Sequence, residues 1–210
     1  GVRDIEDDRL SNLIEKISEK RLGLRDVEAD IIGRSYEYLI GKFAEDSGKQ
    51  GGELYTPAAV GFIMARIMDP EPGMDCYDPT CGSAGPLIKP RLVHNEKQPA
   101  AGGGSAEPVR LYGQELEPGS WAMANMNMII HDMEGKIELG DTFRNPKFRR
   151  DNRLQTFDRA VANPMWNQTG YTEKDYDTDE LGRFPKGAGF PGNKADWGWM
   201  QHILASLNDD

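Results

Sequence analysis

The sequence Asn163-Pro164-Met165-Trp166 places hydrogen-bond acceptors beside an aromatic ring. The asparagine oxygen and the adjacent backbone carbonyl can accept both hydrogens of an amine on an aromatic ring, and Trp166 offers a stacking face. A nucleobase amine is a poor nucleophile because its lone pair is delocalised, and two acceptors pull its nitrogen toward tetrahedral geometry. Asn163 is neutral, so it would act by orientation and by stabilising developing charge rather than as a base. The alternative for this segment is an ordinary turn after a strand.

A second candidate segment is the loop DPTCGSAG at residues 78–85, which follows a short predicted strand and opens a helix. Ligands collect at the carboxyl ends of strands in open α/β sheets, so this loop is a ligand loop by position. Its spacing is Gly-x-x-Gly rather than Gly-x-Gly-x-x-Gly, and it contains no phosphate-binding lysine. These features disfavour a nicotinamide cofactor and a nucleoside triphosphate. A tight strand-to-helix turn is the alternative.

Two acidic residues occupy similar places after later strands. Glu115 ends the sequence YGQE and can accept two ribose hydroxyls, as acidic residues do at this strand end in nucleotide-binding folds. Asp141 follows the next predicted strand. Both could also be ordinary surface residues, because the chain contains 35 aspartates and glutamates.

The elements that must position these residues alternate between strands and helices. We predict strands at residues 74–77, 109–113, 136–139 and 157–162, and helices at residues 85–93 and 120–131. This alternation is typical of a parallel sheet with helices on both faces. The candidate residues would then lie together at the carboxyl edge of that sheet.

The flanking segments carry different patterns. Apolar residues recur at helical spacing through residues 1–50, which we predict to be a helical region distinct from residues 51–210. Residues 169–194 exceed the usual length of a connection and are rich in glycine and proline, so we expect either a working loop or a disordered one. A closing helix is predicted at 196–207, with one apolar side formed by Trp197, Met200, Ile203, Leu204 and Leu207.

Charge and cysteine content limit the class of protein. The 210 residues carry a net charge of −10, which argues against binding nucleic acid by bulk charge. One local patch of six basic residues against two acidic ones reaches a net charge of +4; its basic members are Arg144, Lys147, Arg149, Arg150, Arg153 and Arg159.

Cys76 and Cys81 fit neither a disulfide framework nor a zinc site, so no metal is expected. With no apolar run of membrane-spanning length and no secretion signal, we expect a cytoplasmic protein.

In their order along the chain, these motifs resemble the adenine-N6 DNA methyltransferases, most closely the modification subunit of type I restriction-modification systems. The sequence GGELYTP at residues 51–57 is similar to the family signature GEFYTP, and DPTCGSAG is similar to DPACGSGG. YGQE with the later Met-Asn-Met, and NKAD leading into Gln201-His202, extend the resemblance over nearly the whole chain. There are two departures: Met165 stands where the family usually has a second proline, and Ala84 replaces a common glycine.

The resemblance implies an α/β fold with the Rossmann-like sheet of S-adenosylmethionine-dependent methyltransferases, preceded by an N-terminal helical segment. Residues 51–210 would be an incomplete catalytic domain, because such a subunit continues into further strands. The implied reaction is direct, in-line transfer of methyl from S-adenosylmethionine to the N6 amine of adenine in DNA. Asn163, Pro164 and Trp166 would hold a base flipped out of the duplex.

The resemblance also implies a set of cofactor-binding residues. Tyr55 with Thr56 would close over the methionine end, Glu115 would hold the ribose, and Asp141 with Thr142 would meet the adenine. The full set is Glu53, Tyr55, Thr56, Asp78, Gly82, Ser83, Gly85, Glu115, Asp141 and Thr142.

The implied partners are double-stranded DNA, a second modification subunit, a restriction subunit and a specificity subunit. The specificity subunit is also expected because the sequence offers no base-reading module. Two alternatives remain. Glutamine-amide methyltransferases use a similar Asn-Pro-Pro-Tyr site, although the long helical start and the ELYTP element speak against them. A subunit that only binds cofactor would follow if Met165 abolished catalysis.

Overall fold

The computed structural model describes residues 6–21, 33, 35–36, 38–42, 56–97, 107–184 and 192–209. Its strands are β1 (Asp75–Asp78), β2 (Arg110–Glu115), β3 (Gly135–Leu139), β4 (Arg149–Arg150), β5 (Arg153–Leu154) and β6 (Arg159–Ala160). Its helices are α1 (Asp7–Ser18), α2 (Ala58–Met68), α3 (Gly85–Glu96), α4 (Pro118–Ile130), α5 (Glu173–Asp177) and α6 (Asp196–Ala205). Described residues between 33 and 42 are also helical. None of these helices is long and apolar enough to cross a bilayer.

Four parallel strands form the central sheet in the order β3-β2-β1-β6. The chain builds outward from β1 through β2 to β3 and then returns to the other side of β1. This reversal is the switch point at which ligands bind in open α/β sheets. Because the strands are parallel, residues that follow β1, β2, β3 and β6 all reach the same edge. The predicted α/β class and the edge are thus confirmed.

The main core packs α3 and α4 against the central strands. Cys76, Leu111 and Ile137 come from three neighbouring strands and are buried together with Leu87 and Ile88 of α3. β1 is buried along most of its length, whereas Ile137 is the buried residue of β3. α2 packs on α3 and extends this core.

Two elements near the carboxyl end of the chain differ from the sequence prediction. The strand predicted at residues 157–162 pairs only over Arg159–Ala160, with Phe157 forming an isolated bridge to Leu207. The preceding β4–β5 hairpin was not predicted. Its two turn residues, Asp151 and Asn152, have φ of 49° and 58°, the left-handed values that a two-residue hairpin turn requires.

The prediction of an unpacked loop is wrong for residues 169–184. They form α5 and bury Tyr171, Tyr176 and Phe184 against Phe143 and Trp199. The Phe143 and Trp199 rings stack with centroids 4.0 Å apart. The buried aromatic rings pack this segment against the rest of the protein, although its glycine and proline content led to the prediction of a loop. Residues 185–191 lie outside the described part of the chain.

The apolar side predicted for α6 is largely exposed. Trp197, Met200 and Leu204 are 66%, 61% and 74% exposed, whereas Trp199 and His202 are buried. On the buried side, Gly198 lies so close to Tyr176 that an added Cβ would come within 2.7 Å of its hydroxyl oxygen. The helix therefore packs against its neighbours through the side that carries Gly198, Trp199 and His202.

Candidate active site

A cavity of about 440 Å³ opens at the carboxyl edge of the sheet. Its walls come from the residues after all four central strands, beginning with Pro79 after β1, Glu115 at the end of β2, Asp141 after β3 and Asn163 after β6. The other lining residues are Thr80, Leu116, Glu117, Pro118, Thr142, Met165, Gln168, Tyr171 and Trp199. This volume falls within the ~300–1,000 Å³ typical of small-molecule sites.

The loop after β1 is held by a buried carboxylate. Asp78 is 1% exposed, and its Oδ1 accepts a hydrogen bond from the Thr80 backbone N–H at 2.9 Å. Burial raises the pKa of Asp78 to about 7, against the opposing effect of the Thr80 hydrogen bonds. Gly82 has φ of 54°, a left-handed value that favours glycine. Ala84 reaches φ of 65°, so it keeps the backbone shape expected of the glycine that it replaces.

Glu115 connects this loop to β2. One carboxylate oxygen accepts from the Gly82 N–H at 2.9 Å, and the other accepts from the Glu117 N–H at 2.8 Å. Each oxygen retains further acceptor capacity. Two backbone donors thus fix the carboxylate at the cavity wall, where it can accept two neighbouring hydroxyls of a ligand.

The turn after β3 presents Asp141 and buries Thr142. Asp141 Oδ1 accepts from the backbone N–H groups of Phe143 and Arg144 at 2.8 and 3.0 Å. The Thr142 hydroxyl donates to the Pro79 carbonyl at 2.7 Å and so ties this turn to the loop after β1. The Tyr171 hydroxyl lies 3.4 Å from Asp141 Oδ1, and burial raises the pKa of Tyr171 well above its ordinary value.

A buried arginine also holds the turn after β3 through hydrogen bonds to its carbonyl groups. Arg183 donates to the carbonyls of Thr142 and Phe143, each at 2.7 Å, and pairs with Asp179 at 2.9 Å. His202 lies 3.4 Å from the guanidinium and 3.1 Å from the Tyr77 hydroxyl. Burial and the positive charge of Arg183 lower the pKa of His202 to about 3, so this imidazole is neutral.

Asn163 follows β6 at the switch point and is exposed. Its Nδ2 donates to the Thr56 hydroxyl at 3.1 Å, which leaves Oδ1 without that contact and able to accept. Trp166 is 80% exposed and is not among the lining residues of the cavity. Met165 and Gln168 line the wall instead, and Gln168 accepts from the Trp199 indole N–H at 3.1 Å.

The structure brings together most of the predicted residues, in two groups. Glu115, Asp141, Thr142 and Asn163 line the large cavity directly. Asp78 and Gly82 support its wall, while Thr56, Ser83 and Gly85 line a neighbouring cavity of about 10 Å³. Glu53 and Tyr55 lie outside the described residues.

A model of the N-6 DNA methylase family matches residues 27–210. The chain belongs to this family. The predicted family is therefore confirmed, and the Rossmann-like fold agrees with the solved structures that it resembles.

Three comparisons place this N-6 DNA methylase family member among known proteins. The methylase subunit of the type I restriction enzyme MjaIX from Methanocaldococcus jannaschii is 32% identical over 92% of this chain and 34% of that subunit. A type I restriction-modification methyltransferase subunit from Streptococcus thermophilus has a TM-score of 0.72 and 28% identity, covering 90% of this chain and 39% of that one. A structure described as a class I S-adenosylmethionine-dependent methyltransferase, from Listeria monocytogenes, shares the fold with a TM-score of 0.67 and 14% identity, covering 89% and 53%. The chain spans about a third of the length of the curated relatives that it matches.

Several lining residues of the cavity were not predicted from the sequence. Leu116 directly follows Glu115, so its place beside the cavity could have been read from the strand end. Tyr171 and Trp199 gave weaker signals, because Tyr171 lay in a predicted loop and Trp199 is not among the apolar residues predicted to share one side of α6. Their contribution depends on packing between distant segments, which local spacing does not encode.

Proposed function

We propose that this protein transfers a methyl group from S-adenosylmethionine to the N6 amine of adenine in DNA, as the modification subunit of a type I restriction-modification complex. The observation that carries the proposal is that Asn163 shares one cavity wall with Glu115 and Asp141. An acceptor suited to an aromatic amine thus stands beside acidic residues suited to a nucleoside.

The residues of the cavity fit S-adenosylmethionine. Glu115 offers two fixed oxygens for the ribose hydroxyls, and Asp141 offers an acceptor for the adenine amine. Leu116 and Trp199 supply apolar surface for the adenine ring. Gly82, Ser83 and Gly85 would approach the methionine part through the loop after β1, which Asp78 holds in shape. Glu53, Tyr55 and Thr56 belong to the same proposal through the family motif.

Asn163 would act on the acceptor amine. Its Oδ1 and the neighbouring backbone carbonyl accept the two hydrogens and direct the nitrogen lone pair toward the cavity. Bound S-adenosylmethionine would supply a methyl group on a positively charged sulfur. The amine nitrogen that Asn163 holds would accept this methyl while sulfur kept the electron pair of the S–C bond, and the nitrogen would then release a proton to solvent. Trp166 is exposed beside this point and would stack on the flipped base.

The proposed partners follow from charge and from family membership. A chain with a net charge of −10 needs a partner to hold the duplex, so a specificity subunit would choose the site. A second modification subunit and a restriction subunit complete the proposed complex. The exposed arginines of the β4–β5 hairpin, Arg149, Arg150 and Arg153, are the local candidates for phosphate contacts.

A methyl-acceptor experiment tests the function. The full-length subunit, together with its specificity partner, is given labelled S-adenosylmethionine and either duplex DNA or a glutamine-containing protein, and the modified group is identified by mass spectrometry. We expect label on adenine N6. Label on a glutamine amide would favour the protein methyltransferase alternative, and cofactor binding without transfer to either acceptor would favour a binding-only subunit.

A further inference from the structure

Gln168 lines the large cavity and is fixed at two points to the beginning of α6. Its backbone carbonyl accepts from the Ala195 N–H at 3.0 Å, and its side-chain Oε1 accepts from the Trp199 indole N–H at 3.1 Å. An indole nitrogen can only donate a hydrogen bond, so the oxygen of the Gln168 amide must face Trp199. The NH₂ group is left as a donor on the cavity wall, and it donates to no residue that the structure describes.

The same cavity carries a fixed acceptor, the carboxylate of Asp141. The Trp199 ring stacks on Phe143 with centroids 4.0 Å apart, and the Phe143 N–H donates to Asp141 at 2.8 Å. Both rings are buried, and each polar group would lose a hydrogen bond if it turned away from them. The wall therefore offers a ligand one fixed acceptor and one fixed donor, both tied to the same ring pair.

Three other donors around Asp141 are already engaged. The N–H groups of Phe143 and Arg144 both donate to Asp141 Oδ1, at 2.8 and 3.0 Å. The Thr142 hydroxyl, which the family resemblance places at the adenine, donates to a carbonyl of the loop after β1 at 2.7 Å. These groups have no hydrogen left for a ligand, whereas the Gln168 NH₂ group has.

An acceptor together with a donor complements the edge of adenine. The exocyclic amine of adenine donates, and the ring nitrogens N1 and N7 on either side of it accept. Hypoxanthine reverses the pattern along one of these edges, because it has a carbonyl oxygen in place of the amine and a hydrogen on N1. A carboxylate alone would recognise the amine and would leave the ring nitrogen without a donor.

We propose that Gln168 is a specificity-determining residue of the cofactor site, whose NH₂ group donates to a ring nitrogen beside the amine of the S-adenosylmethionine adenine while Asp141 accepts from that amine. The inference rests on the proposed function, in which this cavity holds the cofactor with its adenine at Asp141. It adds a donor to a site for which the sequence motifs supplied the acceptor.

Analogues of S-adenosylhomocysteine, the cofactor without its methyl group, test this contact in the full-length subunit. The 1-deaza and 7-deaza analogues each replace one ring nitrogen by C–H and so remove one acceptor. In the wild type, at least one of them should bind about tenfold more weakly than S-adenosylhomocysteine, the usual scale for one lost hydrogen bond. Gln168→Met should weaken S-adenosylhomocysteine by a similar factor and abolish the penalty of that analogue, because the two changes remove the same contact.

A second variant and a matched control complete the experiment. Gln168→Glu keeps an oxygen for the Trp199 indole and replaces the donor by an acceptor, so it should weaken S-adenosylhomocysteine at least as much as Gln168→Met does. Gln155 is another half-buried glutamine, and it does not line the cavity. Gln155→Glu makes the same change of charge and should keep the wild-type Kd for all three ligands.

Three results would overturn the inference: wild-type affinity for S-adenosylhomocysteine in both Gln168 variants, wild-type binding of both analogues as tight as that of S-adenosylhomocysteine, or analogue penalties in Gln168→Met as large as in the wild type. The last result would show that Gln168 supports Trp199 without touching the adenine. Failure of the proposed function gives a different result, because the wild-type complex would then bind these ligands and transfer no methyl group to adenine.

Discussion

At the residue scale, Glu115 connects the proposed cofactor site to the shape of the loop after β1. Its carboxylate holds the Gly82 and Glu117 N–H groups and faces the cavity. Glu115→Ala removes these contacts and the proposed ribose acceptor, so the Kd for S-adenosylmethionine should rise at least about tenfold. Titration calorimetry measures this. Glu134→Gln, an exposed change beside the amino end of β3, should bind as wild type does; equal affinities in Glu115→Ala would remove Glu115 from the site.

At the element scale, β2 must approach the loop after β1 closely. A Cβ on Gly113 would come within 2.8 Å of Cys81 Sγ and 2.9 Å of Ile137 Cδ1. Gly113→Ala should therefore destabilise the protein by ~1–3 kcal/mol, the usual cost of overpacking, and weaken cofactor binding by displacing the loop. Urea unfolding and titration measure the two effects. Adding Cys81→Ala should recover part of the lost stability and of the lost cofactor affinity. Unchanged stability in Gly113→Ala alone would show that β2 can accommodate a Cβ at this position.

A second element-scale prediction concerns residues 169–184. Arg183 and Asp179 have side chains 3% and 2% exposed, so Arg183→Met leaves a buried carboxylate without its charged partner, although the backbone N–H of residue 183 still donates to it. We expect a loss of ~3–5 kcal/mol in the free energy of unfolding and faster protease cleavage of this segment. Arg183→Met with Asp179→Leu should lose less, because the unpaired charge is gone. If the double variant is no more stable than the single one, packing by the guanidinium matters more than its charge.

These elements also show what the sequence encodes and what it does not. Strand and helix positions followed from local periodicity, and the site edge followed from parallel order, so Glu115, Asp141 and Asn163 could be placed together. The packing of Tyr171 and Trp199 could not be predicted, since it joins α5 to α6 through aromatic contacts between distant segments. The exposure of Trp166 and the Thr56–Asn163 bond likewise depend on tertiary geometry.

At the scale of the whole molecule, two buried groups give opposite pH dependences. Burial raises the pKa of Asp78 from 3.8 to about 7, so the folded state holds a proton that the unfolded state releases, and stability falls as pH rises between these values. Burial lowers the pKa of His202 from 6.5 to about 3, so the unfolded state binds the extra proton, and stability falls as pH drops below about 6.5. The two contributions largely cancel between pH 4 and 6.5.

Single variants should separate these contributions. Relative to wild type, Asp78→Asn should gain stability steadily as pH rises from 4 to 7, whereas His202→Gln should gain stability as pH falls from 6.5 to 4. Urea unfolding at several pH values measures both differences. Parallel curves for the wild type and either variant would mean that the replaced group titrates alike in the folded and unfolded states.

The most direct measurement is the single-turnover rate of methyl transfer by Asn163→Ala in the complete complex, with cofactor affinity measured on the same sample. Asn208→Ala, beside Phe157 at the opposite edge of the sheet, is the control. If Asn163 orients the target amine, its loss should cost ~3–4 kcal/mol in the transition state, a rate decrease of roughly a hundredfold or more, with cofactor Kd nearly unchanged. Transfer to adenine at the wild-type rate by Asn163→Ala would contradict the assignment of this site.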